Sequence, residues 1–516
     1  MTTLEAVIEI GSTGIRMLVA QLDMNPLQSS KAWSILDKSE LPVPLGRDVF
    51  SSGFVTRETL LQCLQILKRF KEQLASWNIS DKHVTVIATS AIREAKNRDA
   101  VLDRIMVKTG FRVKVVDGIE ENRLMYLAVS ECFKDSLANV HLEGTNSIIL
   151  EVGGGSSEIM LIEQGKMAGV HSLRLGTVII EQQLRAITGS LQEAHRFLEE
   201  FIRITRGSLD AELKFANVSQ FIAIGAEARI VAEHKGKQIS NKLTIISRDA
   251  FNSFADEIQQ YSIEECIAMF KIPYAEAQAL HIGLMAYKFF LQFTNAQVVL
   301  IPDTSIREGL ILSRFNEPDK ILQQDFESQI VASALTLAKK YKADEKHALY
   351  VKKISLKLFD ALKKELGLDE RSRLLLEVSA ILHDIGMFIR ADNHEEHSMY
   401  IINHSDIFGL SRDDISIISQ VAYYHRGNHS TQNNSQFAMS SRSDRITILK
   451  LTAILRIADA IDRGHSQKIN DFTIDFRSDT LIIRCKETHN LVLERLAVTQ
   501  KSNVFESVFG YKVLLS

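Results

Sequence analysis

The chain has 516 residues, too many for a single hydrophobic core, and its 45% hydrophobic and 24% charged residues are typical of a soluble globular protein with roughly two to four domains. A net charge of −3 excludes a global attraction to nucleic acid or to an anionic membrane, so we expect neither partner, and any polyanion site must be a local patch. Because the sequence lacks a signal-peptide pattern, a membrane-spanning apolar stretch and CxxC spacing among its four cysteines, it predicts a cytoplasmic protein with reduced thiols.

The first predicted elements form a hairpin, AVIEIGSTGIRMLVA (6–20), and the same plan returns in LEVGGGSSEIMLI (150–162). In both stretches a strand ends in a glutamate, Glu9 or Glu151, and a glycine-rich turn leads into a second strand. Glycines allow close backbone approach, and turn amides with serine hydroxyls form a cradle for an anion such as phosphate. One copy alone would be read as a flexible hairpin, but a duplication indicates two related domains. Two such hairpins across a cleft would hold a phosphate chain, with each carboxylate placed to bind a metal–phosphate complex.

Helices and strands alternate through the first 315 residues. After the first hairpin the pattern predicts, in order, a helix, a strand, a helix, a strand and a helix, over 56–77, 84–92, 97–109, 111–118 and 119–133. After the second hairpin it predicts a strand, a strand–turn–helix, a helix and a strand–loop–helix, over 169–176, 221–233, 280–293 and 298–315. This alternation predicts a parallel or mixed sheet with helices on its faces.

The remaining chain changes character twice. The polar segment 316–325 marks a boundary, and residues 326–466 read as helical and rich in histidine. Strands return at 471–476 and 480–485, followed by a helix near 491–509 and a closing strand. We therefore predict four domains, spanning 1–140, 141–318, 319–467 and 468–516.

Six ordered motifs resemble those of the exopolyphosphatase/guanosine pentaphosphate phosphohydrolase family. They are EIGSTGIRM (9–17), ATSAIREAKN (88–97), GIEENRLMYLAV (118–129), GGGSSE (153–158), SLRLG (172–176) and REG (307–309). The resemblance covers almost the whole chain. It implies an α/β protein with a duplicated actin-like (ribonuclease H-like) ATPase fold, followed by an all-α domain and a small α+β appendage. Relatives are often dimers, so a homodimer is the implied assembly.

The same resemblance implies roles for residues in the amino-terminal half. Glu121 matches the glutamate that orients water onto the terminal phosphorus, and Arg93 matches an arginine near the phosphates. On the residues alone, the two would be an exposed glutamate at a helix start and a solvated surface arginine. Two phosphate loops are matched, by Gly11, Ser12 and Thr13 and by Gly153, Gly154, Gly155 and Ser156. Mg²⁺ is the implied metal of this cleft, held by Glu9 and Glu151.

Three glutamates depart from the family pattern, and Thr13-Gly14 stands where its first loop usually has Asn-Ser. Glu9 and Glu151 stand where the family usually has aspartate, and Glu227 in GAEAR (225–229) stands where a small residue is typical. An extra methylene moves a carboxylate by about 1.5 Å, whereas catalytic groups tolerate a displacement of about 0.5 Å. Two outcomes stay open: a shifted Mg²⁺ clamp, or a cleft that binds phosphates without efficient turnover.

The histidine-rich region contains AILHDIGMF (380–388) within the order H…HD…D. This order resembles the HD-superfamily of metal-dependent phosphohydrolases, with the ligand set His347, His383, Asp384 and Asp459. Mixed nitrogen and oxygen ligands suit Mn²⁺, Fe²⁺ or Mg²⁺. In relatives, the positions of His397 and His425 contact substrate or a second metal. The alternative is that these histidines only cap and fill helices.

Three functions follow from these features. The leading hypothesis is a phosphoanhydride hydrolase that releases orthophosphate from the end of inorganic polyphosphate, or from guanosine pentaphosphate. The second is a metal-dependent phosphohydrolase in the helical domain, with the amino-terminal cleft as its ligand sensor. The third is a non-catalytic sensor of polyphosphate or of a guanosine polyphosphate nucleotide.

Overall fold

The computed structural model describes residues 2–23, 32–134, 140–186, 191–210, 214–316, 320–427, 435–469, 471–477, 479–485 and 491–516. These residues divide into two compact units, Met1–Asp325 and Phe326–Ser516. Residues 317–319, near the beginning of the predicted boundary segment, lie outside the described part. No helix among the described residues combines the length and apolarity needed to cross a bilayer.

The first unit contains two sheets. The strands of the first are β1 Thr2–Ile10, β2 Gly14–Asp23, β3 Ala32–Pro42, β4 Val84–Ala88 and β5 Val113–Val115. The strands of the second are β6 Ser147–Val152, β7 Ser157–Glu163, β8 Lys166–Leu173, β9 Gln220–Ile224, β10 Lys237–Ser240, β11 Leu243–Ser247 and β12 Val298–Pro302.

Twelve helices accompany these sheets within the described residues. They are α1 Leu45–Ser52, α2 Arg57–Ser76, α3 Ser90–Glu94, α4 Arg98–Thr109, α5 Gly118–Lys134, α6 Thr177–Ala186, α7 Leu191–Leu209, α8 Ala226–Lys235, α9 Arg248–Ile258, α10 Ile263–Phe270, α11 Tyr274–Gln292 and α12 Ile306–Asn316. Helix α2 begins as its sequence predicts, because the side chain of Thr56 caps it by accepting a hydrogen bond from the amide of Thr59.

The two sheets share one topology. The first has the order β3-β2-β1-β4-β5, and the second contains the same order as β8-β7-β6-β9-β12, extended by β11 and β10. In each, the leading hairpin is antiparallel and the next two strands join in parallel. This repeat confirms the predicted α/β class with a duplicated actin-like fold, and it places the two glycine-rich turns at equivalent positions.

Strand β1 shows why the hairpin strands are apolar on both faces. Ala6, Ile8 and Ile10 pack into one core, while Val7 packs into another with Ile311 of α12. Since both faces are covered, the strand reads as a nearly continuous apolar run. Helix α12 also lies against α5: a Cβ on Gly309 would come within 1.9 Å of the Leu124 carbonyl oxygen, so only glycine fits there.

Two predictions for the first unit need correction. The strand predicted over 84–92 ends at Ala88, since α3 begins at Ser90. The strand predicted over 111–118 is short, because α5 already starts at Gly118. In both stretches buried apolar residues continue from strand into helix, and a short apolar run does not distinguish the two.

The second unit is mainly helical. After α13 Lys320–Lys340, which spans the division between the units, its helices are α14 Glu345–Leu366, α15 Glu370–Leu382, α16 His394–Asn403, α17 Arg412–Tyr424, α18 Ser435–Met439, α19 Arg442–Ile461, α20 Val492–Lys501 and α21 Asn503–Phe509. A small sheet of order β13-β14-β15 comprises Phe472–Arg477, Thr480–Cys485 and Lys512–Leu515. The helix predicted over 491–509 is therefore two helices, separated at Ser502.

Candidate active site

A cleft in the first unit is lined by both glycine-rich turns. The turn after β1 and the turn after β6 face the beginnings of α3, α8, α11 and α12, and Glu121 of α5 completes the wall. The predicted residues Glu9, Gly11, Ser12, Thr13, Glu121, Glu151, Gly153, Gly154, Gly155 and Ser156 all line this cleft.

The two turns have matching hydrogen bonds. Gly11 N–H donates to the carbonyl of Gly14, and Gly153 N–H donates to the carbonyl of Ser156, each over 2.9 Å. Four amides of these turns donate to no protein acceptor within the described part of the chain, namely those of Ser12, Thr13, Gly154 and Gly155. Such amides at the edge of a cleft are suited to bind phosphate oxygens.

The glycines of the second turn serve close approach. A Cβ on Gly154 would lie 3.0 Å from Cβ of Ser12 in the opposite turn, and one on Gly155 would lie 2.4 Å from Oγ of Ser90. Neither glycine has a left-handed φ. The requirement for glycine here is therefore space between the two turns and α3, not a special backbone conformation.

Glu121 is buried, with 7% of its surface exposed. Its carboxylate pairs with the Arg93 guanidinium, which also donates to the carbonyl of Val116 over 2.8 Å. Burial raises the pKa of Glu121 to about 7, although Arg93 opposes that rise. The exposed glutamate that the residues alone suggested is thus wrong, and the carboxyl has the pKa of a general base that works near neutral pH.

Glu9 and Glu151 occupy equivalent strand ends but have different surroundings. Glu9 lies between two guanidiniums, with Arg16 Nη1 3.5 Å and Arg307 Nε 3.3 Å from its oxygens. Among the described residues, no cation pairs with Glu151. Burial and then the negative charges of Glu121, Glu9 and Glu158 raise the pKa of Glu151 well above its ordinary value.

Glu158 is a cleft carboxyl that the sequence analysis did not single out. It stands opposite Glu151 in the β6–β7 pairing and accepts hydrogen bonds from Asn122 Nδ2 over 3.0 Å and from Ser172 Oγ over 2.7 Å. Burial, reinforced by Glu121, raises its pKa to about 8. Burial and negative neighbours raise the pKa values of all three carboxyls, and a hard divalent cation such as Mg²⁺ would favour their ionised forms by offsetting the mutual repulsion.

Glu227, the departure in the third glycine-containing turn, is buried at the start of α8. A Cβ on Gly283 of α11 would come within 2.8 Å of its Cγ, so the glutamate fills the space between these helices. Burial raises the pKa of Glu227 to about 7 from an ordinary value of 4.5. The side chain therefore occupies part of the cleft wall and is largely protonated below neutral pH.

We expect Glu227→Gln to stabilise the first unit at alkaline pH. A folded-state pKa above the unfolded one contributes stability below the unfolded value, and that contribution is lost as pH rises through the folded pKa. Glutamine stays neutral, so the variant should gain about 3 kcal/mol at pH 8 and almost nothing at pH 4. Urea unfolding followed by tryptophan fluorescence measures this change, because both tryptophans, Trp33 and Trp77, belong to this unit. Glu233→Gln on the exposed side of α8 is the control; an equal gain there would contradict the assignment.

The second unit gathers the predicted histidine and aspartate ligands. His347 Nε2 lies 3.5 Å from Asp459 Oδ1 and 3.8 Å from Asp384 Oδ2, and His383 Nε2 lies 3.5 Å from Asp384 Oδ1 and 4.0 Å from Asp459 Oδ1. Ligand atoms about 2.1 Å from an octahedral ion are separated by about 3.0 Å when adjacent and about 4.2 Å when opposite. Both Nε2 atoms are buried and have no hydrogen-bond partner among the described residues. One nitrogen of each of these two histidines and one oxygen of Asp459 lie within 4.8 Å of one another, so these three groups are spaced to hold one divalent ion.

Of the two further histidines predicted for this site, the structure brings only His425 to Asp384. Within the described chain, the ion-pair contacts of Asp384 run to His347, His383, His394 and His425, and not to His397. His394 and His397 share helix α16, and a Cβ on Gly386 would come within 2.1 Å of the His394 carbonyl oxygen. The glycine of the HDIG motif therefore lets α16 pack closely. This packing brings His394, the first residue of α16, next to Asp384.

The sequence analysis named neither His394 nor Lys501, which also belongs to this cluster. It ends helix α20, in the predicted carboxy-terminal appendage, and its Nζ contacts Asp459 Oδ2. Burial lowers the pKa of His383 to about 4, so that imidazole is neutral at physiological pH. Burial acts on His347 as well, but the carboxylates of Asp459 and Asp462 outweigh it and raise the pKa of His347 to about 9, so a cation bound there would displace a proton.

Comparisons with known proteins agree with this architecture. A family model described as the Ppx/GppA phosphatase family matches residues 28–317, and one described as Ppx/GppA phosphatase, domain III, matches residues 331–502. A guanosine-5'-triphosphate,3'-diphosphate pyrophosphatase of Photobacterium profundum is 23% identical over 502 residues, covering 94% of this chain and 92% of the relative. The enzyme of that name from Vibrio vulnificus is 23% identical over 466 residues, covering 88% and 86%.

Among solved structures, an exopolyphosphatase from Cytophaga hutchinsonii is similar, with a TM-score of 0.51 and 19% identity. The match covers 61% of this chain and 98% of that chain. At this identity the similarity concerns the fold.

Proposed function

The chain belongs to the Ppx/GppA phosphatase family, and from this premise we propose that its first unit hydrolyses phosphoanhydride bonds. The proposed reaction releases orthophosphate from the end of inorganic polyphosphate or from guanosine pentaphosphate. The observation that supports it most is the placement of Glu121, a buried carboxylate paired with Arg93, in the cleft lined by the unbonded amides of two phosphate loops.

In this proposal each residue has a distinct task. The amides and hydroxyls of the turns at 11–13 and 153–156 hold the terminal phosphates, and Arg93 offsets their charge. Glu121 orients a water molecule and accepts its proton as the oxygen attacks the terminal phosphorus. The bond between that phosphorus and its bridging oxygen breaks, and the shortened chain leaves with the bridging oxygen.

We propose Mg²⁺ as the metal of this cleft, bound mainly by Glu151 with Glu158 beside it. When bound, the ion neutralises phosphate oxygens. Glu9, which the sequence predicted as an equivalent ligand, already has two arginine partners, so we propose that it holds Arg16 and Arg307 in the cleft wall. This division follows from the unequal surroundings of the two strand ends.

The direct experiment measures orthophosphate released from long polyphosphate and from guanosine pentaphosphate, with Mg²⁺ or with EDTA. We expect release that depends on the metal. Binding of both ligands without release would instead favour the non-catalytic sensor. We also propose a cytoplasmic location, a homodimeric state and a division into four domains.

A second function is favoured by the unpartnered Nε2 atoms of His347 and His383. We propose that the second unit binds Mn²⁺ or Fe²⁺ through His347, His383, Asp384 and Asp459, as an HD-type metal-dependent phosphohydrolase. In that case the first unit senses the ligand.

This second proposal predicts that chelation destabilises the second unit. Binding to the folded state alone stabilises it by about 2.7 kcal/mol at a hundredfold excess of free metal over Kd. Calorimetry of the full chain should therefore show a transition that moves up with Mn²⁺ and down with chelator, and Asp384→Ala should abolish both shifts. Asp413→Ala, at an exposed position of α17, is the control. A wild-type profile indifferent to Mn²⁺ and to chelator would contradict the site.

A further inference from the structure

Helix α1 lies across both phosphate turns of the cleft. At its start, the amide of Gly46 donates to the carbonyl of Ser12 over 2.7 Å, and a Cβ on Gly46 would lie 2.9 Å from Cβ of Ser12. Farther along the helix, the ring of Phe50 faces the other turn, since a Cβ on Gly155 would lie 2.5 Å from its Cζ. Helix α1 therefore contacts the turn at 11–13 and the turn at 153–156 at the same time.

Arg47, in the first turn of α1, connects this helix to α6 and α11. Its Nη2 donates to Oε1 of Gln278 in α11 over 2.5 Å and lies 3.7 Å from Oε1 of Glu181 in α6. Nε2 of Gln278 donates to the same Glu181 oxygen over 2.6 Å, so the three side chains form a closed ring. Nε2 of Gln182, also in α6, donates to the carbonyl of Arg47 over 2.7 Å. Arg47 is thus held through both its side chain and its backbone.

Both partner helices are fixed to the second phosphate turn. The amides of Thr177 and Val178, at the start of α6, donate to carbonyls of that turn. Helix α11 is held to β6, the strand that leads into the turn, because the hydroxyl of Tyr287 accepts a hydrogen bond from the amide of Val152 over 3.1 Å. The hydrogen bonds of Arg47 to these helices therefore fix α1, and with it the first turn, relative to the second turn.

The environment of Arg47 is that of a positioning contact. Arg47 is not among the residues that line the cleft, so it does not touch the phosphates. Its side chain is 40% exposed, and ion pairs at such positions contribute little to the free energy of unfolding. Catalysis is more sensitive to geometry, because a displacement of about 1 Å can lower a rate by about 10²-fold.

We propose that Arg47 is a positioning residue for phosphoanhydride hydrolysis, which sets the distance between the two phosphate turns through Gln278 and Glu181. The inference rests on the proposed function of the first unit and adds to it a residue outside the cleft. A phosphate chain held by both turns needs them at one fixed separation. Without the ring of Arg47, Gln278 and Glu181, each turn keeps its own amides, but the two sets of amides are no longer held in register.

The first test compares kinetics with stability. Arg47→Ala should lower kcat/KM for orthophosphate release from polyphosphate by about 10-fold or more, while the urea midpoint of the first unit, followed by tryptophan fluorescence, stays near that of wild type. Arg47→Lys keeps a positive charge beside Glu181 and should recover part of the loss. Arg57→Ala, at the exposed first residue of α2, is the control and should retain the wild-type kcat/KM.

The second test asks whether Arg47 and Gln278 act through one network. Gln278→Ala removes the hydrogen bonds to Arg47 and to Glu181, so it should lower kcat/KM by a factor similar to that of Arg47→Ala. The double variant should be no slower than either single variant, because each substitution already breaks the ring. Equilibrium binding of polyphosphate should weaken in parallel in all three variants, whereas a purely structural role would lower the urea midpoint instead.

Three results would overturn the role of Arg47. They are wild-type kcat/KM and affinity in Arg47→Ala, losses that multiply in the double variant, and a loss of activity that follows a fall in the urea midpoint. The proposed function is tested separately, by release from wild type and its loss in Glu121→Gln, so it can stand when the role of Arg47 fails. If wild type binds polyphosphate without releasing orthophosphate, the same comparisons are made on affinity alone. Wild type that neither binds nor hydrolyses polyphosphate would overturn both proposals.

Discussion

Glu121→Gln should lower the turnover of orthophosphate release from polyphosphate by about 10²–10⁴-fold, the usual contribution of a general base. Glutamine keeps the length of the side chain and an oxygen for Arg93, but it cannot accept a proton from water. Because the phosphate turns are unchanged, the affinity for polyphosphate should persist. Steady-state release and equilibrium binding, measured on the same preparation, separate the two effects.

The matched control is Glu120→Gln, on the preceding residue of α5. Glu120 accepts hydrogen bonds from Arg123 over 2.6 and 2.9 Å and does not line the cleft. Near wild-type release is expected from this variant. Unchanged turnover in Glu121→Gln would remove Glu121 from the mechanism.

The pH dependence of release provides a further check on the same residue. A general base works in its ionised form, and burial raises the pKa of Glu121 to about 7. Release should therefore increase with pH through about 7 and then level off, instead of being constant above pH 5 as for a carboxyl with an ordinary pKa. The increase should be missing from the residual activity of Glu121→Gln.

Much of the fold could be predicted from local pattern. The two hairpins share the same spacing, so their duplication was visible in the sequence. Strands β1 and β6 indeed occupy equivalent positions in the two sheets. Failures lie where local pattern is ambiguous. Residues 84–92 are mostly apolar, yet the strand ends at Ala88 because a helix starts at Ser90.

The sequence predicted the candidate sites less completely than the fold. The residues that pair with the charged groups of these sites come from distant parts of the chain. Glu9 could be placed at a strand end, but its neutralisation depends on Arg307, which only the folded chain brings within 3.3 Å. Lys501 reaches Asp459 from 42 residues away. His394 and His397 are indistinguishable by spacing alone, and the close packing at Gly386 decides between them.

Gly176→Ala should reduce release by about 10²-fold or more without contacting substrate. This glycine precedes α6, and a Cβ there would lie 2.2 Å from the Gly154 carbonyl oxygen and 2.4 Å from the Gly155 carbonyl carbon. The clash is with backbone, so the phosphate turn itself must move. Restoring an ordinary contact of about 3.4 Å requires a shift of about 1 Å, and a misplacement of that size can cost about 10²-fold in rate.

Two contacts make this displacement hard to avoid. The amides of Thr177 and Val178 donate to the carbonyls of Gly153 and Gly154 over 2.9 and 3.0 Å, so the start of α6 and the turn move together. We expect weaker polyphosphate binding along with slower release, which distinguishes this variant from Glu121→Gln. Gly207→Ala is the control, because a Cβ at that helical position meets nothing within 4 Å. If Gly176→Ala retained wild-type affinity and turnover, the turn at 153–156 would not be the element that positions the phosphates.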